Sequence, residues 1–519
     1  MDTQTQKLNQ ILKDRFGLES LRPQQARVIS RVMDGKDALV VWPTGSGKSL
    51  CFQLPAVAIK AQRGQGVTLV LSPLIALMED QVSALHKRGI AATYLNSTLG
   101  RKQRFARQRA LAAGEYELVY ATPERLTKPE FIEAIKAVPG GVHLLAVDEC
   151  HCVTKWGHDL RPAYQRVGEF RQMLGSPPTI ALTATATRAV REDVKRVIAG
   201  AGDTDSVCDT DSVRDTDSVR DTDSVRDTDS VRDTDSVQEF VEGIDRPNLE
   251  LVSRDVWDER EKVDAVCALE GLYPGTGIVY FSLIKDLERM QGEIARALPG
   301  CRVERYHGRL HPQEKKRVYR EFIASRPEDQ LILCATNAFG MGVDKPDIRF
   351  IAHAQVPGSV EAYYQEVGRA GRDGEPSRCE LLYSQDDLAI QHEFIKWQNP
   401  EPDLLMQIAA IVEAKYSESE FDADDLRIDV IGKGHAHGRG GGVVEYVLIT
   451  LAKLGAIELA SFQDGEATRY RYLRPLEDDE LDPAEIEAKR QRDLKRLLDV
   501  VNLSKAEDVQ ASVREYFEM

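Results

Sequence analysis

The chain predicts an α/β protein: two tandem doubly wound parallel-sheet domains, then a small winged-helix-like α+β module and a helical tail. Three observations carry this expectation. Short apolar runs alternate with helical patterns over residues 1–199, and again over 241–395. A glycine-rich loop, Thr44-Gly45-Ser46-Gly47-Lys48-Ser49, separates an early apolar run from a helical segment. At 519 residues the chain is too long for one core, so three or four domains are expected.

In the first domain, residues 1–199, the strand candidates are Ala38–Trp42, Val67–Leu71, Leu118–Ala121, His143–Val147 and Thr179–Leu182. Each is short and almost unbroken in apolarity, as strands covered on both faces of a parallel sheet are. Helical patterns such as Leu77–Lys87 lie between them. The second domain, 241–395, repeats the scheme with Gly277–Phe281, Leu331–Ala335, Arg349–Ala354 and Arg378–Tyr383.

Residues 200–240 contain six copies of the hexapeptide Asp-Thr-Asp-Ser-Val-Arg, from Asp203 to Gln238, with the last position varying. One apolar residue in six cannot bury a core, so the composition predicts a disordered interdomain linker. A β-solenoid is the alternative that a short period allows, but only Val would fill its interior. As a coil the repeat would span about 30–35 Å r.m.s.. Residues 396–475 change character. Leu404–Lys415 and Val443–Leu454 read as helices, and Ile457–Tyr472 as two strands around the turn at 463–466. Residues 476–519 form an acidic stretch that reads as helical.

Bulk properties narrow the class. No apolar run approaches the roughly 20 residues that span a bilayer, so no membrane partner is expected. The N-terminus is polar and lacks a signal-peptide core, which points to a cytoplasmic protein. The eight scattered cysteines fit reduced thiols. The net charge is −16, yet the repeat alone contributes −8 through twelve Asp and four Arg. Overall charge governs solubility, whereas a local basic groove governs phosphate binding.

Three stretches carry chemistry. In the glycine-rich loop the backbone can approach an anion, and N–H groups at the following helix start point at it. Lys48 would neutralise β- and γ-phosphates, and Ser49 would ligate Mg²⁺. The leading glycine of the strict pattern is absent, because Trp42 stands there. Asp148-Glu149 ends an apolar strand 100 residues after Lys48. At a carboxyl-terminal strand edge, Asp148 would hold Mg²⁺ and Glu149 would orient and deprotonate the attacking water. Arg369 and Arg372, in Gln365-Glu366-Val367-Gly368-Arg369-Ala370-Gly371-Arg372, lie three apart. From the second domain they would stabilise charge on the γ-phosphate. Zinc is not expected. Cys150, His151 and Cys152 are too close in sequence to converge on one ion, and no Cys-x-x-Cys pair exists. His435 and His437 read as a solvated glycine-rich loop.

Taken together, these stretches resemble a superfamily 2 helicase, and most closely the RecQ family. Leu21-Arg22-Pro23-Gln24-Gln25 resembles that family's adenine-reading segment, with Arg22 and Gln25 at the nucleotide. Ser72–Gln81 and Ala121–Leu126 resemble its strand-tracking motifs and bring in Ser72 and Thr122. His151–Pro162 resembles the aromatic-rich loop that couples DNA to hydrolysis, through Trp156, His158 and Arg161. Thr183-Ala184-Thr185-Ala186 resembles the segment linking the two activities, and Ala335–Pro346 the second-domain motif with Asp344 near the ribose. The resemblance implies two RecA-like domains, ATP and Mg²⁺, and catalytic roles for Lys48, Asp148, Glu149, Gln365, Arg369 and Arg372. It also implies 3′→5′ movement on single-stranded, tailed or branched DNA in repair or recombination. An RNA helicase and a non-unwinding nucleic-acid-stimulated ATPase are the alternatives. The chain departs from the family at Leu160 and Leu18, where aromatics are usual, and no cysteine follows Cys379. The usual four-cysteine zinc subdomain is therefore missing.

Overall fold

The computed structural model describes residues 3–96, 98–153, 164, 166–199, 237–243, 245–340, 343–431, 441–461 and 469–518. The first sheet has seven strands: β1 (Ala38–Val41), β2 (Val67–Leu71), β3 (Ala92–Leu95), β4 (Leu118–Ala121), β5 (Val142–Asp148), β6 (Thr179–Thr183) and β7 (Gln238–Val241). Their order is β3-β4-β2-β5-β6-β1-β7, and every pair is parallel. Helices cover both faces. Leu39 and Val41 enter one core cluster, while Ala38 and Val40 enter another on the opposite side. That two-sided burial explains why these strands read as unbroken apolar runs.

The second sheet has six parallel strands: β8 (Leu249–Asp255), β9 (Thr276–Tyr280), β10 (Arg302–Tyr306), β11 (Leu331–Ala335), β12 (Ile348–His353) and β13 (Ser377–Tyr383). Their order is β10-β11-β9-β12-β13-β8. Ile278 and Tyr280 face one core, and Val279 faces the other. The third sheet is small and antiparallel, with order β14-β16-β15 for β14 (Phe421–Asp422), β15 (Ile457–Ser461) and β16 (Arg469–Tyr472). Helices Pro402–Tyr416, Ala423–Ile431 and Gly441–Lys453 pack with it around Phe421, Leu426, Val447 and Leu451. Helix, strand, helix, helix and two strands make the winged-helix-like module. Its turn at 463–466, and His435 and His437, lie outside the described residues.

Two expectations need correction. The composition predicts an interdomain linker running to 240. Residues 238–241 instead form β7, paired with β1 in the first sheet. Val237 and Phe240 are buried in that domain's cores. The helix Arg188–Ala199 and β7, on either side of 200–236, both belong to the first sheet's domain. The passage to the second sheet comes after Val241. All of the repeat except its last two residues, Val237 and Gln238, lies outside the described residues. The acidic terminal stretch is helical, but it is not a separate tail. Helices Pro483–Ser504 and Val509–Glu518 place Leu497, Val500, Leu503, Val513 and Phe517 in the core of the second sheet. Their charges sit on the outer faces, which is why the composition concealed the apolar stripe.

Candidate nucleotide site between the two sheets

The first sheet's strands end along one edge, where open parallel sheets bind ligands. β1 runs into Trp42–Ser49 and then the helix Leu50–Arg63. Gly45 and Gly47 have φ of +83° and +87°, a backbone region that disfavours side chains. The loop is held from outside. Arg22 Nη1 donates to Ser46 O at 2.9 Å, and Gln25 Nε2 donates to Gly47 O at 3.2 Å. The Arg22 backbone N–H donates to Gln25 Oε1, fixing the two together. Lys48 Nζ donates to Trp42 O at 2.7 Å and Pro43 O at 3.1 Å. Its pKa is lowered, chiefly by lost hydration, with Glu149 and Asp148 opposing and Arg372 adding to the fall. Ser49 Oγ accepts from Gln81 Nε2 at 3.4 Å.

Gly47 offers a direct test. A Cβ there would stand 2.6 Å from Gln25 Nε2, and the positive φ is itself unfavourable. Gly47→Ala carries about 1–3 kcal/mol of strain. If that strain falls on the bound form, affinity for a fluorescent ATP analogue drops about 5- to 150-fold. Equilibrium titration measures it, and unchanged affinity with a lowered melting temperature would show that free and bound loops carry the strain equally.

Asp148 closes β5. Burial and then Glu149 raise its pKa to about 7, and Lys48 opposes them. A buried carboxyl poised this way gains from any cation that favours its charged form. Glu149 adopts φ +49°, unusual outside glycine and typical of functional strain. His151 lies 3.4 Å from Glu149 and 2.8 Å from Thr183 Oγ1. The Thr183 hydroxyl gives its one proton to Thr185 O, so His151 Nδ1 acts as the donor to Thr183 Oγ1. Thr185 N–H also donates to that oxygen. The Thr183–Thr185 segment is thus tied to the Asp148–His151 segment through one buried histidine. Tyr164 OH braces Asp148 O at 2.8 Å.

The second sheet supplies the opposite wall. Helix Val360–Val367, capped by Ser359 Oγ on Ala362 N, ends at the Gly368–Arg372 loop. Arg372 Nη1 donates to Val343 O at 2.7 Å and Asp344 Oδ1 at 2.8 Å. Its Cγ lies 3.6 Å from where a Cβ on Gly45 would stand, and Thr44 Oγ1 lies 3.9 Å from the corresponding point on Gly368. The arginine loop therefore rests against the glycine-rich loop. Burial, and then Arg369, lower the Arg372 pKa, while Asp344 raises it. Arg369 is 4% exposed and reaches within 3.5 Å of the Gly340 Cβ position. Gln365 is half-buried on the same helix. A second contact crosses the cleft, from Tyr319 OH to Asp80 Oδ2 at 3.0 Å.

Several supporting residues escaped the sequence reading. Arg246 Nη2 donates to Ala370 O and Gly371 O, and Asn248 Nδ2 donates to Gly371 O at 2.7 Å. They clamp the arginine loop from more than a hundred residues away, so no local pattern announced them. His353 Nε2 meets Glu366 Oε2 at 2.7 Å and stacks on Tyr280. Among the residues assigned to DNA, Ser72, Thr122, Thr183 and Thr185 are buried at the same strand edge. Trp156, His158 and Arg161 lie outside the described residues.

Two parallel-sheet domains facing each other across a glycine-rich loop and an arginine loop match the arrangement of a superfamily 2 helicase. Residues 22–193 match the DEAD/DEAH box helicase model, and residues 261–374 match the helicase conserved C-terminal domain. The chain is 34% identical over 435 residues to the probable ATP-dependent DNA helicase RecS of Bacillus subtilis, covering 83% of this chain and 78% of RecS. It is 36% identical over 394 residues to the ATP-dependent DNA helicase RecQ of the same organism. There it spans 75% of this chain and 58% of the relative. A solved structure of Mycobacterium smegmatis helicase Lhr bound to ssDNA and AMP-PNP shares the fold, with a TM-score of 0.53 at 19% identity. That match covers 91% of this chain and 60% of Lhr. The chain belongs to the RecQ family of ATP-dependent DNA helicases. No helix among the described residues is long and apolar enough to cross a membrane.

Proposed function

We propose that this protein is an ATP-driven motor that moves 3′→5′ along one DNA strand and unwinds tailed or branched duplexes. The contact of Arg372 with Gly45 is the observation that carries the reading. A site completed only when two domains meet can couple nucleotide turnover to domain movement. Lys48 and the loop N–H groups cradle the phosphates. Arg22 and Gln25 face the base, and Asp344 faces the ribose. Glu149 takes the proton of the attacking water, Gln365 orients the site, and Arg369 and Arg372 offset charge on the γ-oxygens.

The donor set suits Mg²⁺, which binds through one or two protein oxygens plus phosphates. Ser49 Oγ and the Asp148 carboxylate are such donors. Bound there, the ion supplies neutralisation of the β- and γ-oxygens. Ser72 and Thr122 sit along the strand track, and Thr183 and Thr185 relay through His151. Trp156 stacks on or senses the strand, assisted by His158 and Arg161. The same reading puts the protein in the cytoplasm and in repair or recombination.

Strand displacement on 3′-tailed, 5′-tailed and junction substrates tests the proposal. ATP-dependent separation of the 3′-tailed and branched substrates is expected. ATP turnover with no separation would leave a non-unwinding ATPase. One relative, 31% identical over 408 residues, is named a putative ATP-dependent RNA helicase of Acanthamoeba polyphaga mimivirus. RNA as competitor in the ATPase assay therefore tests the second reading, and DNA is expected to win.

A further inference from the structure

Helix Arg101–Ala112 follows β3, the outermost strand of the first sheet. It carries Arg101, Lys102, Arg104, Arg107 and Arg109 and no acidic residue. Such a run is unexpected in a chain of net charge −16. Other clustered arginines are neutralised locally, as Arg302 and Arg317 are by Glu304 and Glu321. Among the described residues, none of the five cations on this helix forms an ion pair. Arg104 and Arg107 are held by backbone oxygens, with Nη2 on Leu99 O and Nη1 on Tyr94 O, both at 2.9 Å. The Arg107 guanidinium also lies 4.2 Å above the Tyr94 ring.

Arg101, Lys102 and Arg109 are exposed. Between them Phe105 is 62% exposed. Positions 101, 105 and 109 recur every four residues, so the aromatic and the cations share one outward face. Arg125 adds positive charge behind it. Its Nη2 donates to Asn96 O at 2.7 Å. Lost hydration and then Arg104 lower its pKa to about 10, with Glu130 and Glu124 opposing. Like charges gathered this way favour a nearby anion.

The position also matters. β3 and β4 end side by side, Arg125 of the turn after Thr122 reaches Asn96, five residues before the helix, and Ser72 follows one strand further on. Five strand spacings, about 24 Å, separate β3 from β1 and its phosphate loop. The helix therefore starts at the strand edge on the side away from the nucleotide and runs back along the strands, carrying Phe105 and Arg109 about 6 and 12 Å further on.

We propose that Arg101, Lys102, Phe105 and Arg109 form an accessory contact for single-stranded DNA, cations on phosphates and one base stacked on Phe105. The proposal rests on the reading of the chain as a DNA motor. The Asn96–Arg125 link from the helix's approach to the Thr122–Ser72 edge favours DNA over an acidic protein. The exposed ring favours a single strand, because only unpaired bases offer a free face.

The test uses the full chain, a single-stranded oligonucleotide and a flush duplex, with anisotropy read across a salt series. For R101A/K102A/R109A, affinity for the single strand should fall about tenfold or more at low salt. The slope of log K against log salt should shrink by about 2, at roughly 0.7 per lost contact. ATPase activity without DNA should stay at the wild-type level. F105A should weaken single-strand binding about fivefold or more and spare the flush duplex. A triple variant with wild-type affinity and slope, while DNA still stimulates the wild-type ATPase, overturns the contact alone. F105A weakening both substrates equally overturns the single-strand assignment. Wild-type protein that neither binds DNA nor responds to it overturns the motor reading together with this one.

Discussion

Replacing Arg372 with alanine is expected to lower DNA-stimulated ATP turnover by about 10³-fold or more. Nucleotide affinity should change far less. The side chain enters from the second sheet and packs on Gly45 of the phosphate loop. It is held there by Val343 O and Asp344. As the bond to the leaving phosphate breaks, its electron pair goes to the bridging oxygen and the remaining charge spreads over the γ-oxygens, so a guanidinium fixed for that distribution favours the transition state over the ground state. Arg372→Lys separates charge from geometry. It keeps the cation but loses the planar fork, and most of the loss should persist. Steady-state turnover, with a fluorescent ATP analogue for binding, measures both effects. Turnover within tenfold of wild type in Arg372→Ala would falsify the shared-cleft mechanism.

Glu149→Gln should cut the hydrolysis step by about 10²–10⁴-fold, the usual contribution of a positioned base. Glutamine matches the side chain in shape, and it inherits the same φ of +49° without added bulk. It cannot accept the water's proton. Bound ATP should accumulate in single-turnover experiments, with the melting temperature close to wild type. Rapid hydrolysis of bound ATP in this variant would move the base elsewhere, with His151, 3.4 Å away, the first candidate.

The central strands were legible because burial on both faces leaves a mark in the sequence. Val67–Leu71, Leu118–Ala121 and Leu331–Ala335 end where their apolar runs end. The edge strands were not. Arg302–Tyr306 has three charged residues in five, and Gln238–Val241 begins on the last residue of a polar repeat. An edge strand has one neighbour and a wetter face, so its composition carries less signal. Ala423–Ile431 was missed for a related reason, since Asp424, Asp425 and Asp429 dilute its apolar pattern. The terminal helices were recognised as helices, but their docking on the second sheet was not. Leu497, Val500 and Leu503 repeat every three residues inside a highly charged segment.

Locally encoded features were determined by the sequence alone: the glycine-rich loop after β1, the carboxylate pair after β5 and the arginine-bearing loop. Each depends on residues adjacent in the chain, because turn geometry and short reach dictate the chemistry. What only the tertiary structure decided is how distant pieces meet. It set Arg372 against Gly45, clamped the Gly368–Arg372 loop with Arg246 and Asn248, and tied Thr183 to His151. It also returned the chain to the first sheet after the repeat. Such contacts arise from sheet order and packing across a hundred residues or more, and local pattern carries no record of them.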